Sequence, residues 1–238
     1  FVMVTGRPGT GKTTLIGDIT GELTQQGNLY AALTSTQIAA DDLLRLVVLK
    51  FGLEGSSDNK AMLIHRLEQY LQRLHREGRS PVLIVDEAQD LPRDALEELR
   101  LLTNIQKDNQ PLIQVFLGGQ EELKPLILSP GLEQLHQRIV AACHLSPLDE
   151  EASRAYIEHR LRHVGWSGDP DFNDAVFLKI HQYSLGIPRV INQICSRLLL
   201  HGMVEERHRL EQVDIDQVID DLNQEQLLPV PQEGLPAA

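Results

Sequence analysis

The chain has 238 residues, of which 42% are hydrophobic, and carries a formal net charge of −12. This composition suits a packed core in one large or two small domains. The acidic charge argues against binding to nucleic acid or to anionic membranes, although Arg160, Arg162 and His163 form one local basic cluster. No apolar run approaches the roughly 20 residues that cross a bilayer, and the first residues lack a signal-peptide layout, so we expect a soluble, cytoplasmic protein.

A glycine-rich turn follows the apolar residues Phe1 to Val4, and a helix is predicted from about Lys12 to Gln25. The turn fits the P-loop pattern, in which glycines let backbone N–H groups converge on phosphate oxygens at a helix N-terminus. Its members are Gly6, Arg7, Pro8, Gly9, Thr10, Gly11, Lys12 and Thr13. A turn without a ligand is the alternative, and the flanking strand and helix count against it.

The residue types of this turn predict specific contacts with a nucleoside triphosphate. Lys12 is expected to reach the β- and γ-phosphates, and the hydroxyl of Thr13 is expected to bind magnesium. Thr14 is placed to contact the α-phosphate side.

Further strands alternate with helices, which predicts a doubly wound α/β domain with a mainly parallel, five-stranded sheet. The later strands are predicted at Leu29–Thr34, Val82–Val85, Leu112–Leu117 and Val140–Leu145. Ligands of such sheets lie beyond the carboxyl ends of the strands, where Gly6 and Asp86 both fall.

The apolar strand before Asp86 and Glu87 fits a Walker B motif. The first carboxylate would hold magnesium through water, and the second would orient the attacking water. Gln120 follows the fourth predicted strand, where it is placed to approach the γ-phosphate or this water, although loop polarity explains it equally well. Arg138 and Arg189 are candidate cations for the transferred phosphoryl group, with surface ion pairs as the alternative.

Strand patterns stop after Ser146 and Pro147, and Asp149 is placed to cap the first of several helices. We therefore predict an α/β domain over 1–147, a helical domain over 148–224 and a flexible tail over 225–238. Cys143 and Cys195 lack disulfide-type spacing and are expected to be buried thiols. His159 and His163 have the spacing of a metal pair, but Arg160 stands where a metalloprotease carries glutamate.

The motifs together resemble the AAA+ secretion ATPases related to the ExeA and MshM proteins, in particular the secretion ATPase found with exosortase (PEP-CTERM) and exopolysaccharide loci. The stretches that carry the resemblance are Ser35–Gln37, Asp86–Gln89, Ser129–Leu135 and Tyr156–Leu161. The resemblance implies a P-loop AAA+ ATPase that uses ATP and magnesium, with the helical domain as its lid.

Three candidate residues gain roles from this resemblance. Gln120 looks like the sensor 1 residue, Arg138 like the arginine finger and Arg189 like the sensor 2 residue. An arginine finger acts across a subunit interface, so the resemblance implies a homo-oligomer. It also implies protein partners in an export or polysaccharide-assembly system, and it allows peripheral recruitment to the inner membrane through a partner.

Two departures from the family pattern affect what is expected. The chain opens on a strand without methionine, so we expect an upstream segment that supplies part of the adenine pocket. It also ends soon after the lid, without the periplasmic portion of longer ExeA-type proteins. The alternatives to an export ATPase are a DNA-dependent helper ATPase of the transposition type and a nucleotide-gated scaffold that does not hydrolyse ATP.

Overall fold

The computed structural model describes residues 1–34, 38–54 and 59–228. The chain divides into two compact units, Phe1–Leu145 and Ser146–Ala238. Two sequence predictions fall outside the described residues: the stretch Ser35–Gln37 and most of the predicted tail, residues 229–238.

A five-stranded parallel sheet forms the centre of the first unit, with the strand order β2-β3-β6-β1-β7. A separate hairpin joins β4 to β5. The predicted α/β class and the five-stranded parallel sheet are therefore confirmed. The strands of this unit are β1 (Val2–Gly6), β2 (Tyr30–Leu33), β3 (Val82–Val85), β4 (Gln106–Lys107), β5 (Gln110–Pro111), β6 (Gln114–Gly119) and β7 (Ala141–Leu145).

Helices cover both faces of the sheet, which explains why all four residues of β3 are apolar. Leu83 and Val85 pack into the large core that includes α2, α3 and α4, whereas Val82 and Ile84 pack with Ile16 of α1 on the other face. The helices are α1 (Lys12–Gln25), α2 (Ala40–Lys50), α3 (Lys60–Arg76), α4 (Arg93–Leu102), α5 (Leu123–Ile127) and α6 (Glu133–His136), with a short 3₁₀ helix at Ala88–Asp90.

Four helices pack around one apolar core in the second unit. They are α7 (Glu150–His163), α8 (Asp174–Ser184), α9 (Pro188–Val204) and α10 (Gln212–Gln224). The predicted cap of α7 is confirmed, because Oδ1 of Asp149 accepts the Ala152 N–H at 2.8 Å. Within the described ranges, no helix is long and apolar enough to cross a membrane.

The second unit also contains a short parallel pair of strands, β8 (Asp171–Phe172) and β9 (Arg209–Leu210). The prediction that strands stop after Pro147 is therefore wrong in this detail. Two-residue strands are too short to show an alternating pattern in sequence. Phe172 and Leu210 are both buried in the helical core, and this packing brings the strands together.

The two cysteines lie in different environments. Cys143 is exposed on the edge strand β7, so the prediction that it is buried is wrong. Cys195 on α9 is partly buried, and burial raises the pKa of its thiol to about 12. Because the thiolate is the reactive form, alkylating reagents are expected to modify the exposed Cys143 much faster than Cys195 in the folded chain.

We expect iodoacetamide at pH 8 to modify Cys143 rapidly and Cys195 only after unfolding. Peptide mass spectrometry after timed labelling, with and without denaturant, measures both rates. Cys143→Ser and Cys195→Ser variants identify the labelled site. Equal labelling of both thiols in the native chain would contradict the packing described for α9.

Candidate nucleotide-binding and hydrolysis site

The P-loop connects the carboxyl end of β1 to the first turn of α1. Gly9 and Gly11 have φ angles of 84° and 99°, a left-handed region in which a side chain is strained. The Arg7 carbonyl accepts the Thr10 N–H at 3.3 Å and the Thr10 hydroxyl at 2.9 Å. These bonds close the turn, and Gly11 precedes the first helical residue, Lys12.

Lys12 is a buried cation that donates hydrogen bonds to backbone carbonyls. The residue is 6% exposed, and its Nζ donates to the carbonyls of Gly6 at 2.7 Å and Arg7 at 3.0 Å. Among the described residues, its ammonium group forms no ion pair. A buried charge is costly without an opposite charge, so this environment favours the binding of an anion.

The remaining P-loop side chains are more accessible. Thr13 and Thr14 are exposed on the first turn of α1, and Pro8 is exposed in the turn. Arg7 forms an exposed ion pair with Glu121, with 3.4 Å between Nε and Oε1. Exposed pairs of this kind contribute little to stability, so Arg7 is not fixed strongly.

Asp86 and Glu87 follow β3 directly. The Asp86 N–H donates to the Leu33 carbonyl at 3.0 Å, which extends the β2–β3 pairing to the acidic residue. Oδ1 of Asp86 accepts the backbone N–H of Glu87 at 3.0 Å. Glu87 has a φ of 52°, and this left-handed turn ends the strand and begins the short 3₁₀ helix.

Gln120 and Glu87 are brought together because β3 and β6 are neighbours. Val85 pairs with Leu117, so the residues after both strands lie at the same edge of the sheet. Nε2 of Gln120 donates to Oε2 of Glu87 at 3.2 Å. The structure thus places the predicted sensor 1 residue beside the predicted water-orienting carboxylate.

Gln89 is a member of the same cluster that residue-by-residue analysis missed. Its Nε2 donates to Oε2 of Glu87 at 2.8 Å, and its Oε1 accepts the backbone N–H of Gln120 at 2.9 Å. The sequence contained one signal, since Gln89 belongs to the stretch Asp86–Gln89 that carries the family resemblance. Its partner Gln120 lies 31 residues away in the chain, beyond the reach of local patterns.

The side chain of Arg138 is bound at the C-terminal end of α4. Its Nη1 donates to the Arg100 carbonyl at 3.1 Å and to the hydroxyl of Thr103, and its Nη2 donates to Oδ1 of Asn104 at 2.6 Å. Carbonyls in the last turn of a helix lack partners within the helix and attract cations. These bonds explain why Arg138 is half-buried, and none of them involves Glu87.

The backbone of Arg138 lies near the amino end of the sheet. Two residues later, the Val140 N–H donates to the Phe1 carbonyl at the start of the β1–β7 pairing. The P-loop follows the opposite end of β1. At about 3.3 Å per residue, the five residues of β1 separate these ends by about 16 Å. The fold therefore does not bring Arg138 to the P-loop of its own chain.

Arg189 lies in the second unit, exposed in the first turn of α9 after Pro188. His159 and His163 are exposed on α7, with ring centroids 6.4 Å apart. No group of three or more His, Cys, Asp or Glu side chains in the described part of the chain has the arrangement of a metal site.

The oxygen ligands at the sheet edge suit magnesium, a hard cation that binds few protein oxygens and keeps several waters. Thr13 offers an exposed hydroxyl. Asp86 uses Oδ1 for the Glu87 N–H, whereas its Oδ2 has no hydrogen-bond partner among the described residues. The two residues predicted to hold the metal are therefore able to supply oxygen atoms.

Several solved structures have a similar fold. The chain superimposes on the RuvB Holliday junction branch migration motor of Thermotoga maritima with a TM-score of 0.65 and 20% identity, covering 94% of this chain and 62% of that one. For the Aeropyrum pernix ORC2 protein the TM-score is 0.66 at 17% identity, with 92% and 61% covered. For Cdc6p from Pyrobaculum aerophilum it is 0.67 at 15% identity, with 99% and 64% covered.

Sequence comparison gives a more specific relationship. General secretion pathway protein A of Aeromonas hydrophila is 37% identical over 216 residues, which cover 90% of this chain and 39% of that protein. The chain thus spans about two fifths of the length of this curated relative. The sequence profile of the family described as AAA domain matches residues 1–127, more than half of the chain. The chain belongs to this AAA domain family.

Proposed function

We propose that the chain is a magnesium-dependent ATPase in which the P-loop holds ATP and Glu87 orients the attacking water. One observation carries the proposal: a carboxylate held by side-chain amides lies at the same sheet edge as a P-loop whose buried lysine has no anionic partner in the described part of the chain. A site that only bound phosphate would not need a carboxylate fixed in this way.

The P-loop residues bind the triphosphate in this proposal. Lys12 exchanges the carbonyls of Gly6 and Arg7 for the β- and γ-phosphate oxygens, and backbone N–H groups from Gly9 to Thr14 surround the phosphates. Thr13 and Asp86 would hold magnesium, which would neutralise charge on the phosphate oxygens. The choice of adenine as the base is proposed from the family resemblance.

Glu87 and Gln120 act on the water in the hydrolytic step. Glu87 accepts a hydrogen bond from the water, whose oxygen attacks the γ-phosphorus while the bond to the β-phosphate oxygen breaks. The proton leaves toward the carboxylate, and ADP and phosphate are the products. Gln120 holds the carboxylate and, as the sensor 1 residue of this proposal, responds to the γ-phosphate.

We infer that Arg138 acts on the ATP of a neighbouring subunit. Its position near the amino end of the sheet and its bonds to the end of α4 separate it from its own P-loop. An arginine that stabilises charge on the transferred phosphoryl group in trans requires a homo-oligomer. Arg189 is proposed as the sensor 2 residue of a helical lid formed by the second unit.

The relationship to General secretion pathway protein A supports a role in export across the bacterial envelope. We propose that the ATPase acts in the cytoplasm on protein partners of an export system, recruited where needed to the inner membrane. The more specific proposal, an exosortase or exopolysaccharide system, rests on the resemblance in sequence motifs. Neither proposal requires nucleic acid.

A DNA-dependent helper ATPase is the second candidate, because the similar folds include a Holliday junction motor. Identity of 20% supports only the fold, and the net charge of −12 opposes a phosphate backbone. Duplex DNA that bound the chain in a salt-sensitive manner and stimulated ATP turnover would favour this candidate.

Lys12→Ala is expected to weaken ATP binding about 10- to 100-fold, because it removes charge-assisted hydrogen bonds of about 1.5–3 kcal/mol. Titration of a fluorescent ATP analogue with magnesium measures this change. Lys50→Ala, at the exposed end of α2, is the matched control and should bind like the wild type. Unchanged binding by Lys12→Ala would place the nucleotide elsewhere.

Specific ATPase activity is expected to rise with protein concentration as subunits complete each other's sites. Glu87→Gln should retain ATP binding and lose about 100-fold or more in kcat, because the water loses its acceptor. Arg138→Ala should lose about 1,000-fold. Phosphate release measured over a range of concentrations tests this, with Arg162→Ala as the control for loss of an arginine. ATP binding without turnover at any concentration would instead favour the nucleotide-gated scaffold.

A further inference from the structure

Gln89 links the two residues proposed to act on the water. It lies in the 3₁₀ helix that begins directly after Glu87 and is half-buried. One end of its amide bonds the Glu87 carboxylate, and the other end bonds the backbone of Gln120. A single side chain therefore spans the carboxyl ends of β3 and β6.

The orientation of this amide is fixed by its partners. The backbone N–H of Gln120 is only a donor, so it requires the oxygen of Gln89 as its acceptor at 2.9 Å. The amide nitrogen must then face Glu87, where it donates to Oε2 at 2.8 Å. A flipped amide would place a donor against a donor and an oxygen against a carboxylate, and would lose both bonds.

The last residue of β6, Gly119, leaves room for the amide of Gln89 because it has no side chain. A Cβ at Gly119 would lie 2.7 Å from Oε1 of Gln89 and 2.8 Å from Cδ2 of Leu123. Such a distance to Oε1 is not tolerated without displacement of Gln89. The close approach of Gln89 therefore depends on the glycine at the end of β6 as well as on the 3₁₀ helix that carries Gln89.

The two glutamines leave the Glu87 carboxylate with one free oxygen. Oε2 accepts from Nε2 of Gln89 at 2.8 Å and from Nε2 of Gln120 at 3.2 Å. Among the described residues, Oε1 of Glu87 has no hydrogen-bond partner. Both donors are neutral, so the carboxylate is oriented without an ion pair that would compete with water.

We propose that Gln89 is a positioning residue that fixes the Glu87 carboxylate through Oε2 and keeps Oε1 available for the attacking water. The inference rests on the proposed ATPase function. Gln89 acts through Glu87, and its hydrogen bond to the Gln120 backbone couples the two residues. A displacement of the Glu87 carboxylate by about 1 Å can lower the rate about 100-fold, so substitution of Gln89 should slow the chemical step.

Gln89→Glu separates this role from simple support of the loop. Glutamate keeps an oxygen for the Gln120 N–H, but at neutral pH it has no donor for Glu87 and places a second carboxylate beside it. We therefore expect kcat of Gln89→Glu to fall about 10- to 100-fold at pH 8, with ATP affinity unchanged.

Two further variants complete the test. Gln89→Ala loses both bonds and should show the same fall in kcat. It should also speed hydrogen exchange at the Gln120 amide, whereas Gln89→Glu should leave this exchange slow. Gln114→Glu, the same substitution at the exposed start of β6, is the matched control and should retain wild-type kcat.

The outcomes distinguish this inference from the ATPase proposal. Normal kcat in Gln89→Glu at pH 8, with an active wild type, would overturn the positioning role and leave only support of the Gln120 backbone. A fall in kcat of Gln89→Glu accompanied by fast hydrogen exchange at the Gln120 amide would also overturn it, because the loss of rate would then follow from the loosened loop. Absence of turnover in the wild type, with ATP still bound, would overturn the ATPase proposal itself.

Discussion

Three neighbouring parallel strands, β3, β6 and β1, end at one edge of the sheet, and the P-loop, the acidic pair and Gln120 follow these ends. The register pairs Val85 with Leu117 and Thr5 with Gly119. Because paired strands lie about 4.8 Å apart, side chains just beyond two neighbouring ends are within hydrogen-bonding range. A register shift by one residue would turn side chains to the opposite face and separate Gln120 from Glu87. The buried apolar residues of β3 and β6 hold this register.

The charges at this edge are arranged for a polyanion and a water molecule. Lys12 is buried against carbonyls, and in the proposed complex phosphate oxygens, which carry negative charge, take the place of these neutral partners. Glu87 is held by glutamine amides, so its charge is oriented but not paired. An arginine in place of either glutamine would pair with Glu87 and reduce its ability to accept a proton. The P-loop and the acidic turn therefore have complementary roles, although the chain as a whole is acidic.

Patterns within one element predicted most of the fold. Apolar residues at helical spacing indicated helices, short apolar runs indicated all five strands of the sheet, and Asp149 correctly marked the start of α7. The short pair β8 and β9 carries no period and forms because Phe172 and Leu210 share a core. The exposure of Cys143 depends on β7 lying at the sheet edge, which is a property of strand order. Gln89 was missed because it lies after β3 whereas its partner Gln120 lies after β6, and only tertiary structure brings them together.

The central claim is that each ATP site is completed by Arg138 of another subunit, and mixing two inactive variants tests it most directly. Glu87→Gln supplies an intact Arg138, and Arg138→Ala supplies an intact Glu87, so an interface between them contains both groups. We predict that an equal mixture regains roughly a quarter of wild-type ATP turnover, the share of correctly paired interfaces in random assembly. A mixture no more active than its separate components, under conditions in which the wild type is active and the variants co-assemble, would contradict the claim.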